Sequence, residues 1–164
     1  MRLTAFSDYT MRVLMFLATE RGRLVTIPEI AAAYGISGNH LTKVVHQLVR
    51  AGVVESTRGK GGGIRLAREP GDIRLGAILR ASEGGAPLVE CLAGDVNATA
   101  TTTAADAAGT CCLAPVCRLS GVVEEAFAAL YATFDRYTLA DLVADPPRIS
   151  AILVHRATPP SPAA

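Results

Sequence analysis

Residues 26–50 read TIPEIAAAYGISGNHLTKVVHQLVR, and this stretch decides the fold. Thr26 is a helix cap followed by Pro28 and Glu29. Both suit a first helical turn: proline lacks the amide proton that would go unpaired there, and the carboxylate meets the positive end of the macrodipole. The helix they announce, Ile30 to Tyr34, is short and stops at Gly35. Ile36-Ser37-Gly38 turns the chain, and the next helix runs from about Asn39 to Ala51. Leu41, Val44, Val45 and Leu48 recur at helical spacing and face inward, leaving Asn39, Thr42, Lys43, His46 and Arg50 outside. Helix, glycine-bearing turn, helix is the helix-turn-helix order.

Upstream, Thr4 caps a first helix that reaches about Glu20, with Phe6, Val13, Leu14, Phe16 and Leu17 as its apolar stripe and Gly22 as its stop. Downstream, Gly52–Arg58 and Ile64–Leu66 read as two short strands around a Gly-Lys-Gly-Gly-Gly tip, which makes the order that of a winged helix. Ile73–Ala81 is a further short helix. Residues 93–110 are Ala/Thr-rich with almost no charge and no apolar period, the composition of a loosely ordered insertion. From Leu119 the pattern Val122, Val123, Ala126, Phe127, Leu130, Phe134 predicts a long amphipathic helix. Thr138 opens another, with Asp141 in the capping-box position. The Pro/Ala/Ser tail from Ala157 frays.

Half of the 164 residues are apolar, yet 5% are aromatic and there is no Trp, which favours helices packed through Leu, Val, Ile and Ala. Residues 1–80 carry twelve Lys/Arg against six Asp/Glu, a net +6, and residues 81–164 carry four against nine, a net −5. One half is thus suited to a polyanion and the other to a different task. The N-terminus is too polar for a signal peptide, and no run of 18 apolar residues spans a membrane. A cytoplasmic protein is expected, where disulfides are rare and thiols serve metal or redox chemistry.

On the recognition helix Asn39, His40 and Lys43 are placed to reach base edges, with Arg50 further along the same outer side. Arg58, Lys60 and Arg65 on the wing take backbone or minor-groove contacts, and Gly61 and Gly62 let the main chain approach closely. A nucleotide-phosphate loop is the competing reading of the glycines, but the GxxxxGK[ST] order and a surrounding βαβ pattern are both absent.

Cys91, Cys111 and Cys117 lie behind the wing, on stretches read as loop. Their spacing fits neither the four-cysteine zinc patterns nor the common ferredoxin runs. Three thiolates leave one position of a cluster to another group. Cys112 is either a substitute for Cys111 or a small buried hydrophobe, and ordinary buried cysteine is the plain reading of all four.

Leu3-Thr-x-Phe-x-Asp-Tyr9, the helix-turn-helix, the Arg58-Gly-Lys-Gly-Gly-Gly-Ile-Arg-Leu66 wing, Cys91, Cys111-x5-Cys117-Arg-Leu119 and Tyr137-Thr-Leu-Ala-Asp-Leu-Val143 together resemble the NsrR branch of the Rrf-type winged-helix iron–sulfur regulators. The resemblance implies a mainly α fold: a winged helix-turn-helix DNA-binding domain (1–80), a cluster-binding loop with the Ala/Thr-rich insertion (81–118), a dimerisation helix and C-terminal helix (119–156), and a disordered tail (157–164). It implies a cytoplasmic homodimeric repressor of double-stranded operator DNA, not an enzyme, released when nitric oxide nitrosylates its cluster. The ligands it implies are Cys91, Cys111, Cys117 and, from the other subunit, Asp8, with Arg12 beside it and 4Fe–4S favoured over 2Fe–2S. Two features depart from the family pattern: the nineteen residues between Cys91 and Cys111, and the Cys111-Cys112 doublet. The same fold also serves regulators of iron, cluster supply or redox state. A small redox or metal protein without DNA is the other class, but the sequence offers no paired acid/base or nucleophile–histidine arrangement for it.

Overall fold

The computed structural model describes residues 3–84 and 117–157. Cys91, Cys111, Cys112 and the insertion at 93–110 lie outside the described residues. The elements are α1 (Ala5–Thr19), α2 (Ile27–Tyr34), α3 (Gly38–Arg50), β1 (Val54–Thr57), β2 (Gly63–Leu66), α4 (Leu75–Glu83), α5 (Leu119–Asp135), α6 (Leu139–Leu142) and α7 (Pro146–Ala157). A 3-10 turn at Pro70–Asp72 precedes α4. The fold is mainly helical with a two-stranded antiparallel wing.

α1 begins where Thr4 predicts: the Ser7 N–H donates to the Thr4 hydroxyl at 3.2 Å. Val13, Leu14, Phe16 and Leu17 are buried, and the helix packs against α3, α4, α6, α7 and β2. It is the hub of the core. α2 starts at Ile27, three residues before the expected Ile30, because the capping box takes hold earlier: the Thr26 N–H donates to Glu29 Oε1 at 3.1 Å. Pro28 already sits in the first turn. Gly35 ends the helix at φ 67°, a left-handed conformation that favours glycine.

The wing register is Val54↔Leu66, Glu55↔Arg65, Ser56↔Ile64 and Thr57↔Gly63. Val25, which the sequence reading leaves unassigned, bridges Ile64 on the other side of β2, with N···O distances of 3.0 and 2.8 Å. That close approach is why position 63 is glycine: a Cβ there would meet the Val25 carbonyl at 2.7 Å.

The C-terminal helices return to the same core. Leu75 N–H donates to the Tyr137 carbonyl at 3.0 Å and Leu139 N–H to the Ile73 carbonyl at 2.9 Å, fastening the start of α4 to the end of α5. The helix expected from Thr138 is two helices. The Thr138–Asp141 capping box opens the single turn of α6, which stops at Val143, and Pro146-Pro147 starts α7 afresh. Leu139, Val143 and Leu153 are buried in one cluster with Val13, Leu14 and Ile30.

α5 departs from its expected stripe. None of its residues is fully buried. Val123, Phe127, Leu130 and Phe134 are half-covered, whereas Val122 is 61% exposed, Leu119 59%, and Ala126 also faces outward. Its main described partner is α4, which covers one side of a helix that is apolar on two.

Candidate functional site

α3 presents the surface that its periodicity predicts. Leu41, Val44, Val45 and Leu48 are buried, and Asn39, His40, Thr42, Lys43, His46 and Arg50 are exposed. Lys43, His46 and Arg50 fall on one ridge at three- and four-residue spacing. With Phe6 of α1 and Ala81 of α4 they line a shallow groove of about 670 Å³. Gln47 lines the same groove, and its Nε2 donates across it to the Ala81 carbonyl at 2.5 Å.

At the wing tip Arg58 and Lys60 are exposed and, among the described residues, without an ion pair. Arg65 differs. It stands opposite Glu55 in the ladder and is ion-paired to it, so its charge is already matched within the wing. The glycines divide as well. Gly61 is exposed at φ 79° with open space around a Cβ, whereas a Cβ at Gly62 would meet the Thr57 carbonyl at 2.3 Å. Gly62 is therefore demanded by the turn itself, whose Gly62 N–H donates to the Gly59 carbonyl at 2.9 Å.

Asp8 and Arg12 sit on the first turns of α1. Arg12 Nε lies 3.1 Å from Asp8 Oδ1 and Nη2 3.0 Å from Oδ2, a two-pronged fork between half-exposed side chains. The Arg12 guanidinium carbon lies 5.7 Å from the centroid of the Tyr34 ring. Burial pushes the Tyr34 phenol up, and the Arg12 charge pulls it back in part. Tyr9, the residue after Asp8, lies beside His40 of α3 with the rings tilted by 37° and centroids 6.1 Å apart. The sequence reading missed both aromatic contacts, since neither has a local spacing signal. Cys117 is half-buried, forms no disulfide among the described residues and lies two residues before α5. Among the described residues no three His, Cys, Asp or Glu side chains converge on a metal position, and three of the four thiols lie outside that set.

The model of the Rrf2 family, described as an iron-dependent transcriptional regulator, matches residues 3–145. The chain belongs to the Rrf2 family. It is accordingly a winged-helix transcriptional regulator and not an enzyme. It is 44% identical over 154 residues to the HTH-type transcriptional regulator NsrR of Bacillus subtilis, covering 93% of this chain and 97% of that protein. It is 39% identical over 159 residues to the NsrR of Shouchella clausii, covering 96% and 99%. Among solved structures it is similar to the IscR of T. potens, with a TM-score of 0.64 and 27% identity over 88% of each chain. It is also similar to CymR, the global cysteine regulator of B. subtilis, with a TM-score of 0.61 and 25% identity over 88% of this chain and 97% of that one. Among the described residues of this Rrf2 regulator no helix is long and apolar enough to cross a membrane.

Proposed function

We infer that this Rrf2 regulator is a cytoplasmic, nitric-oxide-sensitive iron–sulfur repressor that binds operator DNA as a homodimer. The observation that carries this is the adjacency on α1: Asp8, the implied ligand, is followed by Tyr9, whose ring neighbours that of His40 at the start of the recognition helix, 6.1 Å between centroids. A change at Asp8 is then one residue away from the reading surface. The kinship with NsrR proteins supports the choice of signal.

The residues present fit such a cluster. Thiolates suit iron, and a carboxylate is the harder, weaker partner that leaves one iron exchangeable. Both Asp8 oxygens face Arg12, but a carboxylate has about four acceptor positions, so the fork leaves lone pairs free for a metal. Cys91, Cys111 and Cys117 would hold the cluster, 4Fe–4S in preference to 2Fe–2S, with Asp8 of the partner subunit as fourth ligand and Cys112 as the substitute for Cys111. When bound, the cluster supplies iron open to attack by a diatomic gas.

The rest falls to this chain's own side chains. Arg12 orients Asp8. The uncovered side of α5, with Leu119 and Val122, packs on its copy in a second subunit and sets two α3 helices ~34 Å apart for successive major grooves. Asn39, His40 and Lys43 meet base edges, while Arg50, Arg58 and Lys60 take phosphates and Gly61 lets the wing backbone come close. Arg65, matched by Glu55, contributes less. The test is gel-shift binding of anaerobically purified protein before and after nitric oxide. A fall in affinity of roughly tenfold or more is expected, within the usual range of allosteric coupling. Unchanged affinity, or colourless iron-free protein that binds equally well, overturns the reading.

A further inference from the structure

α3 is tied to the rest of the molecule in a way its DNA-facing residues do not use. Among the described residues, Gln47 makes the one side-chain hydrogen bond from α3 to another element, to the Ala81 carbonyl on the last turn of α4. The two residues after Ala81 are themselves fixed to the first turn of α1. Ser82 Oγ lies 2.8 Å from Ser7 Oγ, and Glu83 Oε1 accepts from the Thr4 N–H at 3.0 Å and the Thr4 hydroxyl at 3.1 Å. Ser7 is fully buried and directly precedes Asp8. Burial works against the Glu83 charge, but the hydrogen bonds from Ser7 and Thr4 outweigh it and hold its carboxyl below the usual range. The last turn of α4 is thus a polar bracket, with α1 on one side and α3 on the other.

Beneath this bracket lies a void of about 20 Å³, room for about one water, lined by Thr10, Gln47, Leu48, Ala51, Ile78, Ala81 and Ser82. The Gln47 bond adds a direction to the apolar packing around it, and a directional contact restricts sliding between elements more than dispersion does.

We propose that Gln47 is a positioning residue: through Ala81, Ser82 and Ser7 it registers the recognition helix to the turn of α1 that carries Asp8, so that a shift of that turn is passed to α3. The proposal rests on the cluster-gated reading above. It assigns to Gln47 a role distinct from DNA contact, and to Ser82, on a different helix, the same role.

The experiment compares cluster-loaded and cluster-free wild type, Gln47→Leu and Ser82→Ala. Iron content and visible absorption establish loading. DNA affinity is measured in both states, and amide hydrogen exchange of α3 is followed in both states without DNA. Wild type is expected to show a loaded-to-free affinity ratio within the 5–150-fold range of coupled sites, falling below about threefold in both variants with loading unchanged. The loaded-to-free difference in α3 exchange is expected in wild type and lost in the variants. If wild type shows no ratio, the cluster-gated reading fails and takes this one with it. A wild-type ratio that persists in both variants overturns the positioning role alone. Should Gln47→Leu lose DNA in both states while Ser82→Ala keeps the full ratio, Gln47 is a DNA contact and the proposal is wrong. If Gln47→Leu loses DNA in both states but Ser82→Ala flattens the ratio, the bracket is upheld, because Ser82 is on α4 rather than on the reading helix.

Discussion

Asp8 and Arg12 grip each other through two contacts of 3.1 and 3.0 Å, one helical turn apart on α1. A half-exposed i,i+4 pair of this kind is worth only ~0.3–0.5 kcal/mol to the fold. In the proposed cluster-bound form its value lies in aiming the carboxylate. Arg12→Ala is therefore expected to leave the melting temperature of cluster-free protein nearly unchanged and to weaken cluster retention by roughly 10–100-fold, the usual cost of removing a partner that orients a metal ligand. Anaerobic loss of visible absorption in the presence of a chelator measures it. A marked drop in thermal stability with normal retention would make the pair a helix staple and nothing more.

The wing should show an unequal division of labour among its cations. Arg58 and Lys60 have no ion-pair partner among the described residues, whereas Arg65 is held by Glu55. Replacing Arg58 and Lys60 together by Ala should lower the slope of log affinity against log salt by about 1.8 per protomer, about 3.6 for the bound dimer, at roughly 0.9 for each phosphate contact. Arg65→Ala should change the slope little. Glu55→Gln, which frees Arg65, should raise affinity. Salt titrations by fluorescence anisotropy distinguish these outcomes, and equal slopes for Arg65→Ala and Arg58→Ala would contradict the assignment.

Val122 is 61% exposed on α5, and Leu119, one turn before it, is 59% exposed. Covering a valine or leucine side chain fully is worth about 1.5–3 kcal/mol. Val122→Glu should weaken the dimer by roughly 10–150-fold on that basis. The monomer's own stability should stay within ~0.5 kcal/mol, as for most surface changes. Sedimentation equilibrium beside circular dichroism tests both halves. A dimer that survives intact places the subunit contact elsewhere.

How much of this was legible beforehand depends on the range of the interaction. Thr4, Thr26 and Thr138 announce their helices because a cap is written within four residues. The inward face of α3 is legible for the same reason, since Leu41, Val44, Val45 and Leu48 carry the period alone. The start of α2 is set late at Ile30, although Thr26, Pro28 and Glu29 already mark the first turn, which the Glu29 carboxylate closes by reaching back to Thr26. The run from Thr138 breaks in two because Pro146 and Pro147 start a fresh helix there. Long-range pairs leave no sequence signal: Arg65 with Glu55 requires the strand register, Gln47 with Ala81 requires the α3–α4 crossing, and Tyr9 with His40 requires both helices. The implied ligands split the same way. Asp8 and Cys117 have a described setting, and the other three thiols lie outside it.

Gly76 lies where α4 closely approaches the end of α5. A Cβ there would lie 2.0 Å from Asp135 Oδ1 and 3.0 Å from the Asp135 backbone N. That carboxylate has little freedom to move aside, because Arg80 grips both its oxygens and the same guanidinium lies over the Tyr131 ring at 4.9 Å. The ion pair holds the Asp135 carboxyl below its usual range. Alanine in place of glycine would favour the helix by ~1 kcal/mol, but forced overpacking costs about 1–3 kcal/mol, so the clash should win or at best cancel the gain. Gly76→Ala is expected to lower the melting temperature, whereas Gly76→Ala combined with Asp135→Ala should lose less stability than the two single changes added together. Thermal unfolding of the four proteins closes the cycle. Additive losses would mean that the methyl meets the α5 backbone rather than the Asp135 side chain, and that α5 must shift to admit it.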